Sequence, residues 1–514
     1  MAWSEGSGQP AVPWWRLWGA FFAYAALAAL AVQLVLLPRV FPTWHAGDGL
    51  LVEGDWLTFH RMAAELAGRI RAEGWAVWEL RPAGQAPVGI AAAIYALTVP
   101  QPWALVPLNA ALHATAALVL LRIVLGFVAD WRVAAAAALP FLVLPSALTW
   151  YAQIHKDGFS IAGVLLALHG WLLLAQPLGP RRPWRPLVAA ALLIGLGTAL
   201  VWLVRPYLAS ALYALGLPLA TVVCVAALLR ARRAGGWLRA AAVAVVAWGV
   251  VVALALPGMP PGEPLAATES SPPVGSSSTA EPATRAGSAS SLPPEPSGAG
   301  ARRAAGLAGT LRCAVTTEAG QAVEAVWQRS WWLPAGVDQR LCGVPAARWA
   351  WYVLYPDART LVDPEVRWAS AGDLVVYLPR AVQIGLLAPF PAQWLEAGRT
   401  PTTTALRRVT AVEMLIVYIA LAGLPLALWR WRRRLDLWLG IAFCGMLLVF
   451  HVLVAPNVGA LHRLRYAYLM TLVALGLAGG LATWLAARRP TRDTRAGGRH
   501  TSPAQPELLR EGSD

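Results

Sequence analysis

The sequence predicts an all-α polytopic membrane protein, and three observations carry that prediction. Of 514 residues, 58% are hydrophobic and only 13% are charged, where a soluble domain carries roughly 25%. Mean hydropathy is +0.53. Apolar stretches of about membrane-spanning length recur from residue 17 to residue 487, so the chain counts as one membrane unit and not as several soluble domains. The formal charge of +15 would point to nucleic acid in a soluble protein. Here the arginines cluster between apolar runs, so the charge is read as topology and no nucleic-acid partner is expected.

The first span is 17–38, preceded by Arg16 alone and followed by no small-residue cleavage site, so it is expected to be retained. Further long apolar runs occupy 103–127, 133–151, 158–176, 187–203, 207–229, 237–256, 411–429, 436–454 and 466–486. Two weaker runs, 86–99 and 374–390, are short and interrupted by Pro or Arg. Treating both as interfacial or re-entrant gathers Arg181, Arg182 and Arg185, Arg230, Arg232 and Arg233, Arg430 and Arg432 to Arg434, and the tail after Arg488 on the cytoplasmic side. The N-terminus is then cytoplasmic, and 39–102, 152–157, 204–206, 257–410 and 455–465 face outward. The main runs make ten crossings, in a total of about 10–12 transmembrane helices.

Five regions follow. Residues 1–256 form an N-terminal transmembrane module whose outward first loop is 39–102. Residues 257–305 are rich in Pro, Ser and Ala and cannot bury a core, which predicts a disordered linker. Residues 306–410 form an extracytoplasmic subdomain with Trp327, Trp331, Trp332, Trp349, Trp351, Trp368, Tyr352 and Tyr355 as its aromatic core, and with the re-entrant or interfacial segment 374–390. The C-terminal spans fill 411–487, and 488–514 form a polar, disordered cytoplasmic tail. Cys224 and Cys444 lie in spans. Cys313 and Cys342 share the outward subdomain, where an oxidising compartment lets them close a disulfide worth ~3–4 kcal/mol in the chain-entropy model.

Charges at span ends on the side that disfavours them need a reason, because a charge at a helix centre costs roughly 2.5–3.5 kcal/mol on insertion scales. The first loop carries Asp48, Glu53 and Asp55 ahead of an amphipathic stretch, 56–72, expected to lie as a helix on the outer surface. Asp55 would sit at its N-terminus, favoured by the helix dipole, with simple N-capping as the plain alternative. His155, Lys156 and Asp157 fall at the outer surface, and Lys156 is the only lysine among the 42 basic residues. Its plain alternative is a snorkelling cation paired with Asp157. Arg205 ends the span 187–203, and Arg463 and Arg465 begin the last one. Such outward cations beside an acidic loop suit a pocket that holds a lipid phosphate next to a carboxylate base, and interfacial anchoring is the alternative for each arginine. His113, His169 and His451 read as packed core histidines. Metal-type Cys/His spacing, a phosphate-binding glycine loop and a nucleophile elbow are all missing from the sequence, so no cofactor is expected.

These residues carry a resemblance. The pattern Asp55, Phe59, His60, Ala63, the Pro-led run at 87–97, the Lys156–Asp157 pair, the interrupted YLPRAVQIGLLAPFPAQW at 377–394 and the Arg-x-Arg-Tyr start of the last span resemble the GT-C superfamily of polytopic glycosyltransferases. The bacterial protein-mannosyltransferase-like and aminoarabinose-transferase-like branches, family 39-like, come nearest. The resemblance implies a multi-pass protein of the bacterial plasma membrane that moves a sugar from a polyprenyl-phosphate donor to a hydroxyl acceptor on a glycan, lipid or protein, with inversion. It implies Asp55 as general base, or Asp48 as its substitute. Lys156, Arg205, Arg463 and Arg465 become ligands of the lipid phosphate, and His60 or Asp157 orient the acceptor. The chain departs from the family in lacking a paired acidic motif in the first loop, which leaves a divalent-metal requirement unsupported. The insertion at 257–305 is a second departure.

Three other readings compete. A polysaccharide polymerase or ligase also combines lipid-linked glycans with outward arginines. A transporter or flippase of such glycans predicts mid-span charges and inverted repeats, neither of which the sequence shows. A membrane scaffold leaves every charged residue with a structural role.

Overall fold

The computed structural model describes residues 13–52, 54–177, 184–234, 236–255, 309–316, 321–356, 358–398 and 400–488. The expected linker and tail, Glu53, Arg181 and Arg182 lie outside them.

The helices α1 (Trp14–Ala31), α2 (Asp55–Glu73), α3 (Ala86–Leu97), α4 (Val106–Leu125), α5 (Trp131–Val143), α6 (Pro145–Tyr151), α7 (Asp157–Ala175), α8 (Trp184–Val204), α9 (Pro206–Ala234) and α10 (Trp237–Ala255) make up the first half. The second half holds α11 (Ala335–Leu341), α12 (Gly343–Leu354), α13 (Ala371–Leu387), α14 (Pro401–Ala422), α15 (Leu424–Trp431), α16 (Leu435–Val454), α17 (Val458–Leu464) and α18 (Tyr466–Arg488). Two antiparallel hairpins interrupt this all-α plan: β1 (His45–Gly47) with β2 (Leu50–Leu51), and β3 (Thr310–Thr316) with β4 (Ala322–Gln328). Among the described residues nine helices are long and apolar enough to cross a membrane, and ten if the pair α5 and α6 counts as one span. That pair is expected as the unbroken run 133–151. Instead it bends by 60° at Leu144, because Pro145 has no N–H to give and its ring disfavours helical backbone in the residue before it.

Side-chain contacts sort the span termini into two ends. At one end Arg434 lies 4.5 Å from the Phe127 ring beyond α4, Arg122 lies 4.6 Å from the Trp14 ring, and Arg230 donates to the Ala175 carbonyl at the close of α7. Arg232, Arg233, Arg430 and Arg432 belong to the same termini, so this is the arginine end. At the other end Arg205, between α8 and α9, meets Asp157 at the start of α7, and Asn109 of α4 meets the Tyr151 carbonyl at the close of α6. Within the bundle α7 and α8 run backbone to backbone: a Cβ on Gly163 would stand 2.5 Å from the Gly197 carbonyl, the close approach that small residues permit between membrane helices.

The weaker runs form short helices. α2 buries Trp56, Phe59, Ala63, Leu66, Ala67 and Ile70 at helical spacing against Val88, Ala91, Ala92 and Tyr95 of α3, which matches the amphipathic helix read from 56–72. α13 starts at a capping box between Ser370 and Asp373. Residues 309–398 hold β3, β4, α11, α12 and α13, with Cys313 and Cys342 joined in a disulfide at a Cα separation of 5.8 Å. Trp327 is fully buried and donates to Asp338 Oδ1 at 3.0 Å. Not every aromatic joins that core: Trp331 is 92% and Trp332 50% exposed. Backbone bonds from Val362 to Pro456 and from Val458 to Thr360 stitch this region to the turn between α16 and α17.

Candidate functional site

The site is built on the non-helical stretch 152–156, between α6 and α7, whose residues are all buried. Irregular backbone at that depth needs partners for its polar groups, and amide side chains supply them. Gln33 donates to the Ala152 carbonyl, and Asn109 donates to the carbonyls of Tyr151 at 2.9 Å and Gln153 at 3.0 Å. Gln153 in turn accepts from the Leu51 amide at 3.2 Å and donates to the Gly49 carbonyl, which ties the stretch to the β1–β2 hairpin.

This frame fixes a chain of charges. Arg205 Nη2 and Asp157 Oδ1 are 2.7 Å apart, and both residues are buried. His155 Nδ1 stands 2.7 Å from Asp157 Oδ2 and 3.2 Å from the Asp157 amide, while Arg463 Nη1 stands 2.5 Å from His155 Nε2. A guanidinium only donates, so Nε2 accepts from Arg463, and Nδ1 accepts from the Asp157 amide while standing against the carboxylate. The Asp157 carboxylate therefore engages Arg205 and His155. Lys156 is buried, with Nζ 5.7 Å from the Phe59 ring centroid.

The same cluster touches the start of α2. Trp56 packs on His155 at 6.0 Å between ring centroids and donates to the Leu51 carbonyl at 2.6 Å. Asp55 is the first residue of α2. Gly54, in extended conformation, holds the N-cap position that the plain reading gave to Asp55. The Asp55 carboxylate sits one residue from Trp56, at a helix N-terminus whose dipole favours the anion.

Asp48 lies at the tip of the β1–β2 turn with φ of 51°, between Gly47 and Gly49, which also have positive φ. Its side chain is 55% exposed, and Oδ2 is 3.9 Å from His60 Nε2. His60 Nδ1 is 3.0 Å from the Tyr95 hydroxyl. Burial lowers the His60 pKa, against the opposing pull of Asp48.

Arg465 is engaged by the protein itself. It is fully buried, with Nη1 donating to the carbonyls of Ile384 at 3.0 Å and Gly385 at 2.6 Å and Nη2 to that of Ala388. It clamps the C-terminal turn of α13, whose last carbonyls lack helical partners, where the sequence led to the expectation of a phosphate ligand. Arg463 and Arg465 stand two positions apart, which places them on different sides of the helical turn.

The structure also adds residues to those read from the sequence. Glu413 is buried on α14, accepts from the Ser146 amide at 2.7 Å and hydroxyl at 2.6 Å, and stands 3.4 Å from His462. It is the only carboxylate of its span, which was a readable signal. Gln33, Asn109 and Gln153 gave no signal, since an amide in an apolar run has many uses. Among the described residues no group of three His, Cys, Asp or Glu is arranged to hold a metal ion.

Comparison with protein-family models, curated proteins and solved structures returns no match for this chain.

Proposed function

We propose that the protein is a membrane glycosyltransferase that takes a sugar from a polyprenyl-phosphate donor and passes it to a hydroxyl acceptor at the end of the bundle opposite the arginine end. Positive residues favour the cytoplasm, so the reaction would occur on the outer side of a cell membrane. The observation that carries the reading is the meeting of Lys156, Arg205 and Arg463 around Asp157 and His155, directly against the helix that begins with Asp55. Cations at that depth suit a lipid phosphate: the tail lies between spans while the sugar stays in water.

In the reaction Asp55 takes the proton of the acceptor hydroxyl, whose oxygen attacks the anomeric carbon as the bond from that carbon to the phosphate oxygen breaks. The anomeric configuration inverts, and the polyprenyl phosphate leaves with its new charge facing the cations. Asp157 and His155 act as positioning residues that hold Arg205 and Arg463. Asp48, exposed and beside His60, is the substitute base.

The test is release of polyprenyl phosphate by protein reconstituted in liposomes with a panel of polyprenyl-phosphate monosaccharides and hydroxyl acceptors. Wild type is expected to release it only with acceptor, and Asp55→Asn to release it ~10²–10⁴ times more slowly with unchanged thermal stability. Full activity of Asp55→Asn moves the base to Asp48, and no release from any donor overturns the function.

A further inference from the structure

The arginine end repeats one pairing on span after span. Arg16, Arg132, Arg185, Arg239, Arg432 and Arg488 are exposed at the termini of α1, α5, α8, α10, α15 and α18. Each of these termini also carries an exposed tryptophan: Trp15, Trp131, Trp184, Trp237, Trp429 and Trp484. Arg432 lies 4.1 Å from the ring centroid of Trp429, and Arg488 3.9 Å from that of Trp484, at the spacings of three and four that put two side chains on one helix face. Arg16, Arg132 and Arg185 directly follow their tryptophans, at 5.0, 5.9 and 5.7 Å. A guanidinium set against an indole still offers N–H groups along its edge, which match phosphate oxygens in pairs; a lysine ammonium has no such edge. Arg432 gives one of its N–H groups to the Trp429 carbonyl at 2.8 Å. Among the described residues the carboxylates of this end are Asp130, which caps α5, and Asp436, which pairs with Arg434 at 2.5 Å.

We infer that the arginine end is a docking surface for anionic phospholipids, held by these guanidinium–indole pairs. Tryptophan settles at headgroup depth, with its apolar ring toward the acyl chains and its N–H toward water. The arginine beside it then meets the phosphodiester at the same level. Charge complementarity selects the anionic lipid: a zwitterionic headgroup neutralises its own phosphate, whereas an anionic one brings net charge to a surface that has few carboxylates of its own. The surface stands at the opposite end of the bundle from Asp55, so the assignment does not depend on the transferase reading.

The test is electron paramagnetic resonance of spin-labelled phosphatidylglycerol and spin-labelled phosphatidylcholine around the full-length protein in phosphatidylcholine vesicles. The motionally restricted fraction gives the relative association of each lipid. Phosphatidylglycerol is expected to associate about threefold more strongly in ~0.15 M salt, and to approach equality near ~1 M as the Debye length falls from ~8 Å to ~3 Å. Replacing Arg132, Arg432 and Arg488 together by Gln, all at exposed positions, is expected to lower that selectivity about twofold. Replacing the same three by Lys keeps the charge and is expected to give a selectivity between those of wild type and the Gln variant. Arg39→Gln, which removes an exposed arginine from the opposite end, is expected to leave it unchanged. Equal association of the two lipids, selectivity unchanged in the Gln variant at wild-type melting, a Lys variant as selective as wild type, or an equal loss in Arg39→Gln would each overturn the assignment.

Discussion

Arg463 Nη1 meets His155 Nε2 at 2.5 Å across 308 residues of sequence. The contact ties α17, the short helix before the last span, to the stretch before α7. Because His155 also faces Asp157, and Asp157 holds Arg205, the two guanidinium groups share one frame.

If His155 acts by holding Arg463, its loss acts on donor binding and not on proton transfer. His155→Ala and Arg463→Ala are each expected to raise the KM for the polyprenyl-phosphate sugar about tenfold with kcat changed less than threefold, and the double variant is expected to be no worse than Arg463→Ala alone. Initial-rate kinetics of the three variants measure this. Additive losses would mean that the residues act separately.

The Arg205–Asp157 pair sits where its charges cannot be rehydrated, so removing one partner strands the other. Asp157→Ala is expected to destabilise the protein by about 3–5 kcal/mol, whereas Asp157→Leu combined with Arg205→Met is expected to recover most of that loss. Thermal unfolding of the detergent-solubilised variants reads the difference. A double variant as unstable as Asp157→Ala would show that the pair matters through something other than charge.

The spans were legible because each buries its own backbone hydrogen bonds and needs only a sufficient run of apolar residues; among the described residues nine such helices, or ten with the bent pair, answer to the runs read from the sequence. The α2 helix was legible for the related reason that its apolar residues keep helical spacing. What the sequence left open was direction and partner. Arg463 and Arg465 look alike as two arginines at the mouth of one span, yet Arg463 faces His155 and Arg465 faces the end of α13. Long-range pairs such as Ser146 with Glu413 depend on how helices pack, which the spacing of residues within one helix does not encode.

His60 titrates against its surroundings. Burial lowers its folded pKa below the unfolded value of about 6.5, with Asp48 opposing. A His with a depressed folded pKa binds protons more readily unfolded, so its contribution to stability is complete above about pH 6.5 and is lost as pH falls through the folded pKa. Melting temperature is therefore expected to fall less steeply between about pH 7 and pH 5 in His60→Gln than in wild type, and more steeply in Asp48→Asn, where the carboxylate that favours the charged imidazole is gone. Parallel curves for all three proteins would remove His60 from the pH response.

Arg463 and Arg465 give the sharpest contrast, because conservative replacement separates a clamp from a phosphate ligand. Arg465 uses both ends of its planar fork on the carbonyls of Ile384, Gly385 and Ala388, a geometry that a single ammonium does not reproduce. Arg465→Lys is expected to cost about 1–3 kcal/mol of stability through carbonyls left short of donors, with donor KM unchanged in the protein that stays folded. Arg463→Lys keeps a cation near the proposed phosphate and is expected to leave stability within about 1 kcal/mol while raising donor KM several-fold. Thermal melting and initial rates on the two variants decide it. A raised KM in Arg465→Lys at wild-type stability would return Arg465 to the phosphate site, and would mean that α13 opens far enough to release it.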